Sequence, residues 1–252
     1  TEVAALYART GITKLNRLQP TIAFDAASDK GSVQSNVSSI TWAHTTGSGS
    51  NRVLVVGVGI QEGAGTVPSG VTYNGVAMTE ATSARKNISN TNSSIWYLVA
   101  PATGANNVVV TFSGGVTKSW ASAISLTGAH QTTPVNVSGG DADNDTGSLS
   151  TTLTTTVAGT MGVDFVASQD ASAAFAVVAG QTNLGGQEES FFGAAFSRKT
   201  NTVAAGSNTM GWTASTQAKT QSVVFIAPAI MPVRINVSNA GAPGTANLVA
   251  WH

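Results

Sequence analysis

The sequence predicts an all-β protein: a jelly-roll-type antiparallel β-sandwich with a short N-terminal arm or helix and a C-terminal extension. Three observations predict it. Arg52 to Ile60 is a run of nine residues, nearly all apolar or Gly, with three valines and a leucine at 53 to 56. Such a run suits a strand covered on both faces. Tyr73-Asn74-Gly75-Val76 sets Asn-Gly between apolar residues. Both central residues of that turn must reach positive φ, and Asn and Gly do so at least cost. Further β-rich runs recur every 10 to 15 residues or so, divided by Gly, Asn or Ser, which is the spacing of a sandwich or barrel.

The elements follow in order. Residues 1–19 form an arm of their own. Val3, Leu6 and Tyr7 fall at i, i+3, i+4, and Leu15 and Leu18 repeat part of that spacing after Gly11. A short amphipathic helix or a docking arm fits that pattern. Residues 20–227 form the sandwich domain. Strands are expected at 21–24 and 39–44, the latter with Ile40, Trp42 and His44 on one face. The run 52–60, the Asn-Gly hairpin and strands at 95–99 and 108–112 follow. Pro101 to Asn107 supplies turn chemistry between the last two.

Beyond Gly114, strands are expected at 120–127, 135–137, 152–157, 161–167, 174–178, 191–197, 209–213 and 222–226. Residues 139–148 (GGDADNDTGS) read as a polar loop. The total of roughly 12 to 14 strands suits a two-sheet jelly roll. Residues 228–252 hold a Pro228/Pro232 linker, one further strand at 233–237 and an apolar tail ending Leu248-Val249-Ala250-Trp251-His252.

Composition narrows the function. Charged residues make up 10% of the chain and the formal net charge is zero. An ordinary soluble domain carries roughly 25% charged residues. No long-range field draws this chain to nucleic acid or to an anionic membrane. A neutral, charge-poor surface also offers little resistance to self-association. There is no cysteine, so neither a disulfide framework nor a thiolate metal site exists. No run of 18 apolar residues suggests a membrane helix.

The phrases SNRVLVVGVG, VTYNGVAMT, WYLVAPATGANNVVVTFSG and SLTGAHQTTPV resemble, as a set, a recurrent β-sandwich module. That module occurs in uncharacterised structural proteins of tailed bacteriophages and in large bacterial surface proteins. The resemblance covers about Thr21 to Ile226. It implies a lectin-like jelly roll and a place in a virion or on an extracellular surface. It carries no catalytic motif.

Few residues bear chemistry. Asp141, Asp143 and Asp145 alternate, and such acids can aim hard oxygen ligands at one calcium ion. The EF-hand pattern fails, because Thr146 stands where Gly is needed and Thr152 where Glu is needed. The tryptophans at 42, 96, 120 and 212 lie in expected strands, where a large ring is usually core. His44, His130 and His252 have no ligand-like spacing. Asp164, Asp170, Glu188 and Glu189 could supply a hydrolytic carboxylate pair only if two of them face one cleft. No catalytic residue is expected, and the chain is not read as an enzyme.

The expected function is therefore a non-enzymatic virion subunit, either a capsid decoration or a tail fibre, assembled as a homo-oligomer with other virion proteins. A trimer is the first expectation. Leu6, Tyr7, Leu248, Val249 and Trp251 are the candidate interface residues. Two alternatives stand beside it: a receptor-binding module for polysaccharide, and a surface-filament subunit whose terminal strand completes its neighbour's sheet.

Overall fold

The structure is a computed structural model. It describes residues 21–63, 66–144, 147–169, 175–214 and 218–230, and the backbone of 234–237 and 246–249. Residues 21–229 form one compact unit, and the remaining residues at both ends form a second.

The larger unit is an antiparallel β-sandwich, as the strand spacing predicts. Its strands are β1 (Ala23–Asp29), β2 (Gln34–Thr46), β3 (Val53–Gln61), β4 (Pro68–Tyr73), β5 (Val76–Ala77), β6 (Thr79–Glu80), β7 (Lys86–Ile88), β8 (Thr91–Val99) and β9 (Gly104–Thr127). The second half contributes β10 (Val135–Asp143), β11 (Leu149–Thr155), β12 (Met161–Ser168), β13 (Ala176–Val177), β14 (Gln181–Glu189), β15 (Phe192–Lys199), β16 (Gly206–Thr213) and β17 (Lys219–Ile226). A 3₁₀ turn at Thr82–Ala84 is the one helical piece among the described residues.

The two halves share one plan, which is the jelly roll. In the first, β1, β9, β3 and β8 lie side by side, while β2, β9, β4 and β5 form the facing row. In the second, the corresponding rows are β10, β17, β12, β15 and β11, β16, β13. Register agrees as well. Val53 pairs Leu126 and Val55 pairs Ile124, just as Met161 pairs Ile226 and Val163 pairs Val224. The sequence reading expected one roll of 12 to 14 strands. The chain builds two rolls, and β9 does in one piece what β16 and β17 do in two.

Four sheet layers result, with apolar side chains between each pair. Between the outer and inner layers of the first roll lie Trp42, Val71, Tyr73, Val110, Val56 and Trp96. Between the outer and inner layers of the second lie Leu149, Met210, Trp212, Val166 and Phe225. The two inner layers meet each other through Val55, Trp120, Ile124, Val163, Phe165 and Phe196. This explains why β3 is apolar on both faces and buried along nearly its whole length. Its even residues face one core and its odd residues the other.

At the central seam one side is hollowed to receive the other. A Cβ on Gly57 would lie 2.2 Å from Cδ2 of Phe165, and one on Gly59 would lie 2.9 Å from its Cε1. The Phe165 ring stacks on Trp120 with centroids 5.7 Å apart and tilts against Phe196 at 6.0 Å.

Four sequence expectations need correction. The strands expected at 108–112 and 120–127 are one strand. Its pairing with β2 jumps from Val37↔Val116 to Ser39↔Thr111, so Ser113-Gly114-Gly115 form a bulge within it instead of an end. Residues 139–143 are strand, not loop. A Cβ on Gly140 would stand 2.1 Å from the Gln221 carbonyl oxygen, so glycine here permits close pairing. No strand is expected at 181–189, yet these residues form β14, because β15 supplies backbone partners along the whole length. Pro228 also belongs to the domain: it bridges Ala129, and the Ala229 N–H donates to the Gly128 carbonyl at 2.7 Å.

The smaller unit contains β18 (Arg234–Val237) and β19 (Ala246–Val249), which pair antiparallel with each other. The arm at 1–19 lies outside the described residues.

Gly57→Ala is expected to destabilise the protein by about 1–3 kcal/mol, the usual cost of overpacking. Urea unfolding measures it. The crowding atoms include Cβ and Cγ of Phe165, which cannot swing aside. Pairing the change with Phe165→Leu should recover part of the loss, since residues in contact couple non-additively.

Candidate functional site

The chemistry-bearing residues of this fold lie mostly inside it. Asp164 sits on β12 and is fully buried. The strand reads MGVDFVAS, and the period of two turns Asp164 toward the outer layer of the second roll, where Trp212 stands. Trp212 Nε1 donates to its Oδ2 at 2.8 Å and Gln221 Nε2 at 2.7 Å. The Ser197 hydroxyl donates to Oδ1. Gln181 Nε2 lies at 3.5 Å from Oδ2 and donates at 2.8 Å to Ser197 Oγ.

Both glutamine amides are oriented from behind. Thr151 Oγ1 donates to Gln221 Oε1 at 2.9 Å, and the Gly211 N–H donates to Gln181 Oε1 at 2.7 Å. Every near group therefore presents a donor to the carboxylate. Burial pushes Asp164 up to about 7, and these donors together with Lys199 pull the other way. The arrangement joins six strands, β11, β12, β14, β15, β16 and β17, of two layers. It leaves the carboxylate no access to a substrate.

His44 is the counterpart in the first roll. It lies on β2 with Ile40 and Trp42 on the buried face, as the alternation predicts. Its Nδ1 is 2.8 Å from Ser28 Oγ, and Trp42 Nε1 donates to the same oxygen at 3.1 Å. Since Trp42 can only donate, the Ser28 hydroxyl is free to donate to Nδ1, which leaves the hydrogen on Nε2. That Nε2 has no partner. Tyr73 meets the ring edge-on at 6.2 Å. Burial pulls His44 down to about 4, and nearby Asp25 opposes this.

Asp141 and Asp143 lie on β10, opposite Gln221 and Lys219. Asp141 is exposed and accepts the Ala142 N–H at 2.9 Å. Asp143 pairs with the buried Lys219 at 3.7 Å. Asp145 lies outside the described residues. Among the described residues no group of three His, Cys, Asp or Glu side chains could hold a metal.

Of the carboxylates weighed for hydrolysis, the three among the described residues share no cleft. Asp164 is sealed in the core, Glu188 and Glu189 are exposed at the end of β14, and Asp170 lies outside the described residues. Trp42, Trp96, Trp120 and Trp212 are all core, as expected. His130 closes a turn, its Nδ1 accepting the Thr133 N–H at 2.9 Å. Of the candidate interface residues, Leu6, Tyr7 and Trp251 lie outside the described residues. Leu248 and Val249 fall in β19, where their backbone partners are Ile235 and Arg234.

The network around Asp164 was partly legible. A lone acid in an apolar strand run marks a buried carboxylate, but its partners come from residues 181, 197, 212 and 221, which no local pattern groups. No helix among the described residues is long and apolar enough to cross a membrane.

No protein-family profile and no curated protein matches the sequence. Among solved structures, an anti-sigma factor domain-containing protein from Clostridium clariflavum aligns at 5% identity. The alignment covers 77% of this chain and 84% of that one, with a TM-score of 0.22. A likeness at that level carries no argument about fold or function.

Asp164→Asn should cost about 1–3 kcal/mol, because its carbonyl oxygen keeps the Trp212 and Gln221 donors only by turning its N–H₂ toward Ser197 Oγ, whose hydroxyl then loses its acceptor. The two buried groups also set opposite pH slopes. For His44, the unfolded chain binds the proton more readily than the fold, so its contribution is full above pH 6.5 and is lost as pH falls toward 4. For Asp164 the fold binds the proton more readily, so stability falls as pH rises from about 4 to about 7. Subtracting urea-unfolding curves of His44→Gln from wild type should reveal an advantage that grows by on the order of 2–3 kcal/mol from pH 4 to 6.5. The slope due to Asp164 should vanish in Asp164→Asn.

Proposed function

We propose that the chain is a non-enzymatic structural subunit that assembles with copies of itself, as a capsid decoration or tail fibre of a virion or as a subunit of an extracellular surface. The observation that carries this reading is where the reactive side chains lie. The buried carboxylate and the buried imidazole bind other parts of the same fold, and the four described tryptophans fill cores. Two rolls fused through their inner sheets make a stiff block, which serves load-bearing better than substrate turnover. The low charge of the sequence favours close packing of such blocks.

Light scattering after size exclusion tests the reading. The expected result is a stable multiple of 25.4 kDa, with three copies the first expectation. A single species at the monomer mass over the micromolar range would overturn it. Deleting residues 1–20 and 230–252 together separates two modes of assembly. Loss of the multiple would place the contact in the terminal unit, and its retention would place it on the paired rolls.

A further inference from the structure

The duplicated architecture supplies an internal comparison that singles out one surface residue. Glu189 pairs Phe192 at the end of the β14–β15 hairpin, leaving Ser190-Phe191 as its turn. The same hairpin in the first roll is β7–β8, where Ile88 pairs Thr91 around Ser89-Asn90. In that turn the positive φ falls on Ser89, at 47°. In the second roll it falls on Phe191, at 63°. A bulky residue with positive φ is a backbone outlier, whereas Asn accepts that region readily.

Phe191 is also 70% exposed, while its neighbour Phe192 is fully buried. The fold does not need an aromatic here, since the sister turn closes on Ser-Asn. Observed strain at an exposed position points outward, to a ligand.

The tip is held firmly. Lys118 Nζ donates to the Ser190 carbonyl and lies 3.6 Å from Glu189. Its place in the fold also suits recognition. Thr21 and Ala229, where the unit begins and ends, both adjoin Gly128. β12 starts at that end, where Met161 pairs Ile226, and runs away from it to Ser168, which pairs Gly193 beside the tip. Within the larger unit, the Phe191 turn therefore stands at the end opposite to Thr21 and Ala229.

We infer that this tip binds neutral carbohydrate, with the Phe191 ring as stacking platform and the exposed Glu188 as hydroxyl acceptor. Three features favour a sugar over a protein surface. None of the other exposed large apolar residues among those described in the larger unit, Phe24, Val76 and Val157, belongs to the β14–β15 hairpin, so the hairpin itself presents a single ring. A stable protein interface needs far more area than one ring. Burying the exposed Glu188 under a protein would desolvate its carboxylate, whereas sugar hydroxyls donate to it in water. The excess of acid over base at the tip disfavours anionic glycans. Binding per tip is weak and gains from repetition along a polymer or across copies. The inference does not depend on self-assembly.

Phe191→Asn, which copies the sister turn, provides the test. Wild type and variant are run by affinity electrophoresis at pH 8.8 in gels cast with mannan, dextran or mixed-linkage β-glucan, with alginate as the anionic comparison. Thermal unfolding and solution mass are measured alongside. Retardation of wild type by at least one neutral polymer is expected, reduced at least fivefold in the variant. The variant's Tm should be unchanged or raised by about 1–3 °C, since the strain is relieved. No retardation by any neutral polymer, equal retardation of the variant, or retardation by alginate alone would overturn the inference. A drop of several degrees in Tm would reassign Phe191 to folding. A loss of oligomer mass with unchanged gel mobility would make the tip a protein contact instead. A monomeric wild type that still binds mannan would sink the assembly reading and leave this one standing.

Discussion

The seat of Phe165 against Gly57 and Gly59 is the contact on which the rest of the molecule depends. Each jelly roll has an inner sheet whose second face is apolar and would be insoluble alone. Placing the two inner sheets together removes both faces from water at once, and burial of that area is the main favourable contribution to folding. The glycines matter because a sheet is flat and a phenylalanine is not. Without a hollow on one side, the two layers could not approach closely enough to exclude voids. The two sides of the seam differ in the same way that the two rolls differ: equivalent positions carry Gly57 in one and Phe165 in the other.

Around that seam the rolls solve the same problem with different chemistry. The outer core of the first is filled by Trp42, Tyr73 and Trp96. The outer core of the second is more polar and is tied by Asp164 to Trp212, Gln221 and Ser197. A fully satisfied network fixes one arrangement of strands, because any shift leaves a buried donor or acceptor unpaired. This accounts for titratable groups that look catalytic in a sequence and yet hold strands together.

How much was legible can be judged from particular residues. Runs with strict alternation or continuous apolar character, such as 39–44, 52–60 and 161–167, were found because burial imposes those patterns on the sequence directly. Strand β14 was missed because QTNLGGQEE owes its strand state to β15, not to its own side chains. The GGDAD strand was missed for the same reason: glycine reads as a turn until the Gln221 carbonyl it must pass is known. Of the site, Asp164 and His44 could be marked as odd residues in buried strands, but their partners are distant in sequence. Phe191 lay within an expected strand, and only its φ and exposure set it apart.

The sequence by itself determined that the chain is an antiparallel sandwich, where its apolar strands run, and that its surface is nearly uncharged. Those properties follow from local periodicity and composition, which survive reading one residue at a time. The tertiary structure alone decided that there are two rolls and not one. It also decided that β9 joins both rows of the first roll, that the acids at 141 and 143 belong to a strand, and that the aromatic at 191 faces outward. Each of these rests on which strand lies beside which. Pairing is set by contacts between residues far apart in the chain, and a period of two is the same whatever the neighbour.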